Sequence, residues 1–199
     1  MHPHIERVMA STCQGKWAAA EMLVSSSLGI PWRPQWGYTF GNFRTNRQVA
    51  RARATVIRYV SGARPYGMHT LAVFGCKGAG KTHLLNAAGH AALTNEQYDS
   101  AATLSAEKLV QLVQEGLYFG DWCAWRHRLT QVPWLAVDDV ERLGESQIVT
   151  SLFLDFMHER ARGKGRTLLT VGQASQLRNV QLKEFLQQVP AIPMHQEYV

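Results

Sequence analysis

One stretch of the sequence, FGCKGAGKTHLL at positions 74–85, constrains the fold more than any other. Four of its residues fit the spacing G-x-x-x-x-G-K-[ST], namely Gly75, Gly80, Lys81 and Thr82. An apolar strand is predicted before it at 70–75, and a helix after it at 81–93. Glycines let the backbone curl so that successive N–H groups point at phosphate oxygens, and the helix adds its positive end. The stretch therefore predicts a phosphate-binding loop; the alternative is a glycine-rich turn that binds nothing.

Eight residues of this stretch are predicted to bind a nucleotide: Gly75, Lys77, Gly78, Ala79, Gly80, Lys81, Thr82 and His83. Lys81 is placed to reach the β- and γ-phosphates, and the hydroxyl of Thr82 is placed to ligate Mg²⁺. ATP and Mg²⁺ are therefore the expected ligands.

A second motif, WLAVDD, is an apolar strand predicted at 133–139 that ends in two acids. We expect Asp138 to hold Mg²⁺, usually through water, and Asp139 to orient or polarise the attacking water. The alternative is that one of the two acids only caps the following turn. Because a phosphate-binding loop precedes this strand, the metal interpretation is favoured.

A third polar strand end follows in RTLLTVGQAS, with a strand predicted at 165–172. If this strand lies between the other two motif strands, Thr170 or Gln173 faces the γ-phosphate and either one holds the lytic water. The alternative is a simple exit from strand to loop. The predicted catalytic set is thus Lys81, Asp139, Thr170 and Gln173.

Strands and helices alternate through the last two thirds of the chain. Further strands are predicted at 100–105 and at the tail from 192, and further helices at 106–117, 147–162 and 176–188. Short apolar strands that alternate with helices indicate a parallel sheet covered on both faces. The predicted fold class is α/β, a P-loop NTPase three-layer sandwich.

Charge is distributed unevenly along the chain. The chain has 21 Lys and Arg against 15 Asp and Glu, a net charge of +6, and no acid lies between Glu21 and Glu96. A helix predicted at 47–61 places three arginines on one face, namely Arg47, Arg51 and Arg58. A surface of one sign attracts polyanions, so these arginines are predicted to bind nucleic acid. The alternatives are a solubility charge and an acidic protein partner.

The segment LYFGDWCAWRHRL, at 117–129, interleaves aromatic and basic residues. Aromatic faces stack on bases while guanidinium groups hold phosphates, which predicts single-stranded DNA binding. The predicted contacts are Trp122, Trp125, Arg126 and Arg128. The alternative is an amphipathic helix whose aromatic rings fill the core.

The sequence contains no apolar run long enough to span a membrane and no segment typical of a secretion signal. Its three cysteines are far apart and form no metal-binding or disulfide pattern. We therefore expect a cytoplasmic protein that has no membrane partner.

The motifs GCKGAGKTHLLNA, WLAVDDV and RTLLTVGQ, with LGIPWRPQWGYTFGNF upstream, resemble the AAA+ ATPases of the DnaC-type helicase-loader and IstB-type transposition-helper group. DnaA-type initiators are close relatives of that group. The resemblance covers roughly residues 28–175. It implies an AAA+ core that couples ATP to loading a replicative hexameric helicase on single-stranded DNA, with a weak ATPase activity and a possible homo-oligomer.

The same resemblance implies an organisation of the chain. Residues 1–27 would form a helical partner-binding segment, 28–69 a basic and aromatic connector with a helix, and 70–199 the ATPase core. Relatives often carry Asn at the first sensor, where this chain has Thr170 or Gln173. The segment after that strand is short, so we expect no helical lid domain, and Arg178 is the candidate for a trans-acting arginine finger.

Two other functions stay open on the sequence. One is an IstB-type ATP-binding protein of transposition, which would bind a transposase instead of a helicase. The other is a nucleotide-gated DNA-binding module with little ATPase activity, which a missing lid would favour. The identity of the protein partner would distinguish a helicase loader from an IstB-type protein. Turnover of ATP would distinguish both of them from the nucleotide-gated module.

Overall fold

The structure is a computed structural model of the chain, and it describes residues 34–35, 37–63, 69–94, 98–173 and 177–194. The partner-binding segment predicted at 1–27 lies outside the described residues, as does the GIP stretch of the upstream motif.

Five parallel strands form one sheet: β1 (Thr70–Gly75), β2 (Ala101–Ser105), β3 (Trp134–Asp138), β4 (Arg166–Val171) and β5 (Ala191–Met194). The order across the sheet is β2-β3-β4-β1-β5, so β4 lies between the two motif strands β1 and β3, which was the condition for Thr170 or Gln173 to face the γ-phosphate. Every residue of β3 and β4 is buried, as expected for central strands of a parallel sheet that is covered on both faces. The predicted parallel α/β fold is confirmed.

Within the described residues, six α-helices connect or flank the strands: α1 (Arg47–Val60), α2 (Lys81–Thr94), α3 (Ala106–Phe119), α4 (Trp122–Gln131), α5 (Gln147–Arg162) and α6 (Val180–Gln188). A 3-10 helix, Val140–Glu145, follows β3. Helix α6 begins four residues later than predicted, because the Asn179 side chain accepts a hydrogen bond from the Leu182 amide at 3.1 Å and caps it there. None of these helices combines the length and apolar character that crossing a bilayer requires.

Helix α1 belongs to the same core as the sheet. Val56 and Tyr59 on this helix are fully buried. The Tyr59 hydroxyl lies 2.5 Å from the carbonyl oxygen of His69 and 3.1 Å from that of Thr167, and so joins α1 to two strand starts. The boundary predicted between residues 69 and 70 therefore divides segments of chain that pack together.

Candidate nucleotide site

The glycine-rich loop lies where the sequence places it, between the end of β1 and the start of α2. Gly78 and Gly80 have φ angles of 84° and 90°, which residues with a side chain adopt only with strain. Gly75 is required for another reason, since a Cβ atom there would lie 2.4 Å from the carbonyl oxygen of Met194 on β5. The loop conformation thus depends on three glycines, the two of the motif and Gly78 between them.

Lys81 is the first residue of α2, and it is buried, with 7% of its surface exposed. Its ammonium group donates hydrogen bonds to the carbonyl oxygens of Gly75 at 2.9 Å and Cys76 at 3.1 Å. These two acceptors are neutral, and they use two of the three N–H donors of the group. A donor and a positive charge remain for an anion in the loop.

The acidic pair lies at the same edge of the sheet, because parallel strands end together there. Asp138 is the last residue of β3 and is buried, whereas Asp139 is half-buried and has a φ angle of 54°. Thr170 on the neighbouring strand connects the two acids. Its hydroxyl donates to Asp138 Oδ1 and accepts a hydrogen bond from the Asp139 amide at 2.9 Å. The hydrogen bonds of Thr170 therefore fix the positions of both acidic residues at the end of β3.

This arrangement corrects the prediction that Thr170 holds a water molecule. Its side chain is 1% exposed and its hydroxyl is engaged with both acids, so it positions them instead. Gln173, the other residue predicted for this role, is exposed just beyond the end of β4. Of the two candidates, only Gln173 reaches the cavity.

A cavity of about 1060 Å³ opens at this edge of the sheet. Its lining includes Lys77, Lys81, Asp139, Glu141, Gln173 and Arg178. The structure therefore brings together five residues predicted from separate motifs, and it adds Glu141, which the sequence analysis missed. Arg178, predicted as a finger for a neighbouring subunit, lines the cavity of its own chain.

Three acids, Asp138, Asp139 and Glu141, lie close enough together at this cavity to repel one another. Burial raises the pKa of Asp139, and the neighbouring Asp138 and Glu141 raise it further against the opposing effect of Lys81. One carboxylate oxygen of Glu141, Oε2, is buried and has no hydrogen-bond partner among the described residues. A cation at this position would relieve both features.

The residues at this site could bind Mg²⁺ only through a small number of protein ligands. The described residues include no cluster of three or more His, Cys, Asp or Glu side chains able to surround a metal. Mg²⁺ keeps several waters and takes substrate phosphates in such sites. The Thr82 hydroxyl and Asp138 would supply the protein ligands.

A turn of the aromatic connector packs on the loop. His83 Nε2 lies 3.0 Å from the carbonyl oxygen of Thr39 and 3.0 Å from Asn42 Oδ1. The Phe43 ring packs on the His83 ring edge to face, 5.0 Å between centroids, and it lies 3.1 Å from the position of a Cβ atom on Gly80. The side chain of His83, predicted to contact the nucleotide, thus fixes this aromatic turn beside the loop.

The sequence pattern of the family described as the bacterial DnaA ATPase domain matches residues 35–187. The chain belongs to this family. It is 28% identical over 130 residues to the chromosomal replication initiator protein DnaA of Thermomicrobium roseum, a match that spans 62% of this chain and 27% of that protein. The chain spans about a quarter of the length of the curated DnaA proteins it matches.

Solved structures with the same fold include members of two functional groups. A replication initiator DnaA bound to AMPPCP and single-stranded DNA has a TM-score of 0.75 at 21% identity, over 82% of this chain and 51% of that one. The DnaC helicase loader has a TM-score of 0.64 at 18% identity, over 80% of this chain and 97% of that one. The fold is thus the AAA+ fold of the DnaA family, and the predicted DnaC or IstB subtype is not distinguished from it.

Within this DnaA-family fold, the aromatic segment at 117–129 forms the end of α3 and most of α4. Trp122 and Trp125 are 7% and 1% exposed, so the prediction that they stack on DNA bases is wrong. Gly120, with a φ angle of 77°, ends α3 and turns α4 back on it, which buries both indoles. The exposed rings of the segment are instead Tyr118 and Phe119, which pack edge to face at 4.9 Å.

The basic residues predicted to bind DNA fall in different environments. Arg51 and Arg58 are exposed on α1, and the side chain of Arg47 lies outside the described part of the chain. Arg126 forms an ion pair with Glu159 at 3.0 Å, and Arg128 lies 5.6 Å from the centre of the Trp125 ring. Arg51 and Arg58 are thus the most accessible of the described arginines in the predicted set.

Proposed function

We propose that this chain binds ATP with Mg²⁺ and uses it to control a DNA-replication assembly on single-stranded DNA. The observation that carries this proposal is the single cavity shared by Lys81, Asp139 and Gln173, which come from three strand ends. Membership of the DnaA ATPase domain family supports it, as does the AMPPCP bound in a DnaA structure of the same fold.

We assign proposed roles to the residues in and around this cavity. Backbone N–H groups of 77–83 bind the phosphates, Lys81 pairs with the β- and γ-phosphates, and Thr82 and Asp138 hold Mg²⁺. The ion supplies charge neutralisation for the phosphates when it is bound. Asp139 orients water for a weak ATPase reaction, and Gln173 holds that water next to the phosphate. Arg178 approaches the phosphates from its own chain and so takes the part of an arginine finger.

Replacing Lys81 with alanine tests the nucleotide site. A charge-assisted hydrogen bond contributes about 1.5–3 kcal/mol, so losing the one donor that Lys81 has left for a phosphate should weaken ATP binding at least roughly tenfold. Isothermal calorimetry with ATP and Mg²⁺ measures this, and Lys108→Ala, on the exposed face of α3, is the matched control. Equal affinity in the Lys81→Ala variant and the wild type would overturn the proposal.

We also propose that two surfaces bind single-stranded DNA. Arg51 and Arg58, with Arg47 on the same helix, would contact phosphates through α1. Tyr118 and Phe119 would stack on bases at the tip of α3, with Arg126 and Arg128 following on α4. This assigns stacking to the exposed rings of the segment, in place of the buried tryptophans.

Fluorescence anisotropy of a labelled oligonucleotide across a salt series separates these contacts. Each phosphate contact contributes about 0.7 to the slope of log affinity against log salt on a single strand. Replacing Arg51 and Arg58 with alanine should flatten the slope by about 1.4 if both contact phosphate. Tyr118→Ala should weaken binding by about 1–3 kcal/mol with little change in slope. A wild-type slope in the arginine variant would indicate a protein partner for α1 instead.

The protein partner we propose is a replicative hexameric helicase, which would make the chain a helicase loader. A DnaC helicase loader of the same fold supports this assignment. Residues 1–27 would form the binding segment. Size-exclusion chromatography of the chain with helicase, with and without residues 1–27, is the test. Coelution with a transposase and not with the helicase would favour the IstB-type function.

A further inference from the structure

A second cavity, of about 620 Å³, lies at the opposite edge of the sheet from the nucleotide cavity. Residues next to the starts of β3 and β4 line it, including Pro133 and Arg166, and these starts are the amino ends of the strands. The loop at 163–165 between α5 and β4 forms one wall, and the end of α4 forms another. No group of the nucleotide cavity contributes to it.

The walls of this cavity are held in place by one buried side chain. Arg160, 2% exposed, makes five hydrogen bonds, to acceptors on Leu129, Thr130, Val132, Arg166 and Thr167. Its guanidinium group also lies 2.9 Å from the position of a Cβ atom on Gly165, so the loop passes directly over it. The cavity is therefore a built feature of the fold, with rigid walls.

Positive charge dominates the described lining. Three cations line the cavity, Arg162, Lys164 and Arg166, against one acid, Glu159. Glu159 is already paired with Arg126 at 3.0 Å. The guanidinium group of Arg166 donates to the carbonyl oxygens of Tyr59 at 2.7 Å and Ala63 at 2.6 Å, so its charge is met only by neutral dipoles there.

A free hydrogen-bond donor adds to this charge. Tyr98 lines the cavity and is 4% exposed, and its hydroxyl has no hydrogen-bond partner among the described residues. Burial raises the pKa of this phenol, so it stays protonated at neutral pH and has a proton to donate. Buried hydroxyl groups in native proteins nearly always have a partner, and a bound ligand would provide one.

We propose that this cavity is a second anion site, which binds a phosphate-bearing ligand independently of the nucleotide loop. Arg and Lys side chains with an additional hydroxyl donor match the several acceptor oxygens of a phosphate group. The phosphate belongs either to a nucleic-acid backbone or to a small phosphorylated molecule, since both present the same oxygens to the cavity.

Calorimetry with inorganic pyrophosphate tests the site in the Lys81→Ala background, where the nucleotide loop is disabled. The exposed pair Arg162→Ala and Lys164→Ala should lower pyrophosphate affinity at least about tenfold, through the loss of two charge-assisted contacts. Tyr98→Phe removes only the hydroxyl, and it should lower affinity roughly two- to tenfold. Lys108→Ala with Lys183→Ala removes the same charge from α3 and α6, and it should leave the affinity unchanged.

Two results overturn the proposal: no pyrophosphate binding in the Lys81→Ala background, or equal losses in the cavity pair and the control pair. ATP affinity is measured separately, with Lys81 intact, so failure of this site is distinct from failure of the nucleotide site. A salt series with a labelled oligonucleotide identifies the source of the phosphate. A slope reduced by about 1.4 in the cavity pair indicates nucleic acid, and a wild-type slope with lost pyrophosphate binding indicates a small molecule.

Discussion

The two edges of the sheet both bury a positive charge, but they satisfy it differently. At the carboxyl edge, Lys81 makes two hydrogen bonds to neutral carbonyls and faces a cavity that contains acids. At the amino edge, Arg160 makes five hydrogen bonds, which connect the end of α4 and Val132 to the start of β4. Lys81 therefore has a donor left for a ligand, whereas Arg160 is used by the structure itself.

This difference separates function from stability in the two regions. Burial lowers the pKa of Arg160 to about 10, which still leaves it charged at neutral pH. A buried charge without its hydrogen-bond partners would cost several kcal/mol, so the surrounding carbonyls must stay in position. The proposed ligand binding at the amino edge consequently depends on Arg162 and Lys164, which are exposed and do not hold the surrounding carbonyls in position.

The largest expected effect is on stability, from Arg160→Met. This change keeps much of the side-chain volume but leaves five buried acceptors without their donor, and each such group costs about 1–3 kcal/mol. Because the losses are not additive, we expect the free energy of unfolding to fall by at least about 3 kcal/mol. Urea denaturation followed by circular dichroism measures it.

Arg162→Ala is the control for this comparison, because it removes the same charge two residues away from an exposed position. Surface substitutions of this kind usually change stability by less than about 0.5 kcal/mol. If Arg160→Met were no more destabilising than Arg162→Ala, the structural role of the amino edge would be disproved.

An intermediate effect is expected from Thr170→Val at the carboxyl edge. Valine keeps the shape but removes the hydroxyl that joins Asp138 to the Asp139 amide. We expect a loss of about 1–3 kcal/mol in the free energy of unfolding, together with slower ATP turnover. Thr170→Ser keeps the hydroxyl and should retain turnover. A Val variant as active as the Ser variant would argue against positioning of the acids by this residue.

The smallest effect on stability is expected from Asp139→Asn. This variant should be more stable than the wild type, whereas Arg160→Met and Thr170→Val should be less stable. Burial, Asp138 and Glu141 raise the pKa of Asp139 in the folded state. The charged carboxylate therefore lowers the free energy of unfolding at pH values above that raised pKa. This loss disappears at acid pH, where the carboxyl is protonated in the folded and the unfolded state. The Asn variant should be more stable than the wild type near pH 8, by less than about 1 kcal/mol after solvent screening.

Thermal unfolding from pH 3 to pH 8 measures this difference, which should shrink toward zero at the acid end. The same variant should keep its ATP affinity and lose turnover, because Asp138 still holds the ion. Asparagine also tolerates the left-handed backbone at this position, where φ is 54°. A variant that is less stable than the wild type at pH 8 would show that the carboxylate is not under electrostatic strain.

The sequence alone determined the elements and the order of the nucleotide site. The loop spacing, the strand at 70–75 and the helix at 147–162 were predicted with the bounds observed, because each depends on local signals such as glycine spacing and apolar periodicity. The position of β4 between the two motif strands was only a condition in the sequence analysis, and the structure meets it. Short motifs thus identified most of the charged residues that line the cavity at the carboxyl edge.

Only the tertiary structure decided which side chains are buried and which are exposed to solvent. Trp122 and Trp125 share their segment with Tyr118 and Phe119, and composition does not show that the turn at Gly120 buries the first pair and exposes the second. Arg160 reads as one more charge in the last turn of a helix, yet its acceptors come from residues 28 to 31 positions earlier and from β4. These outcomes depend on contacts between distant segments, and no local pattern records them.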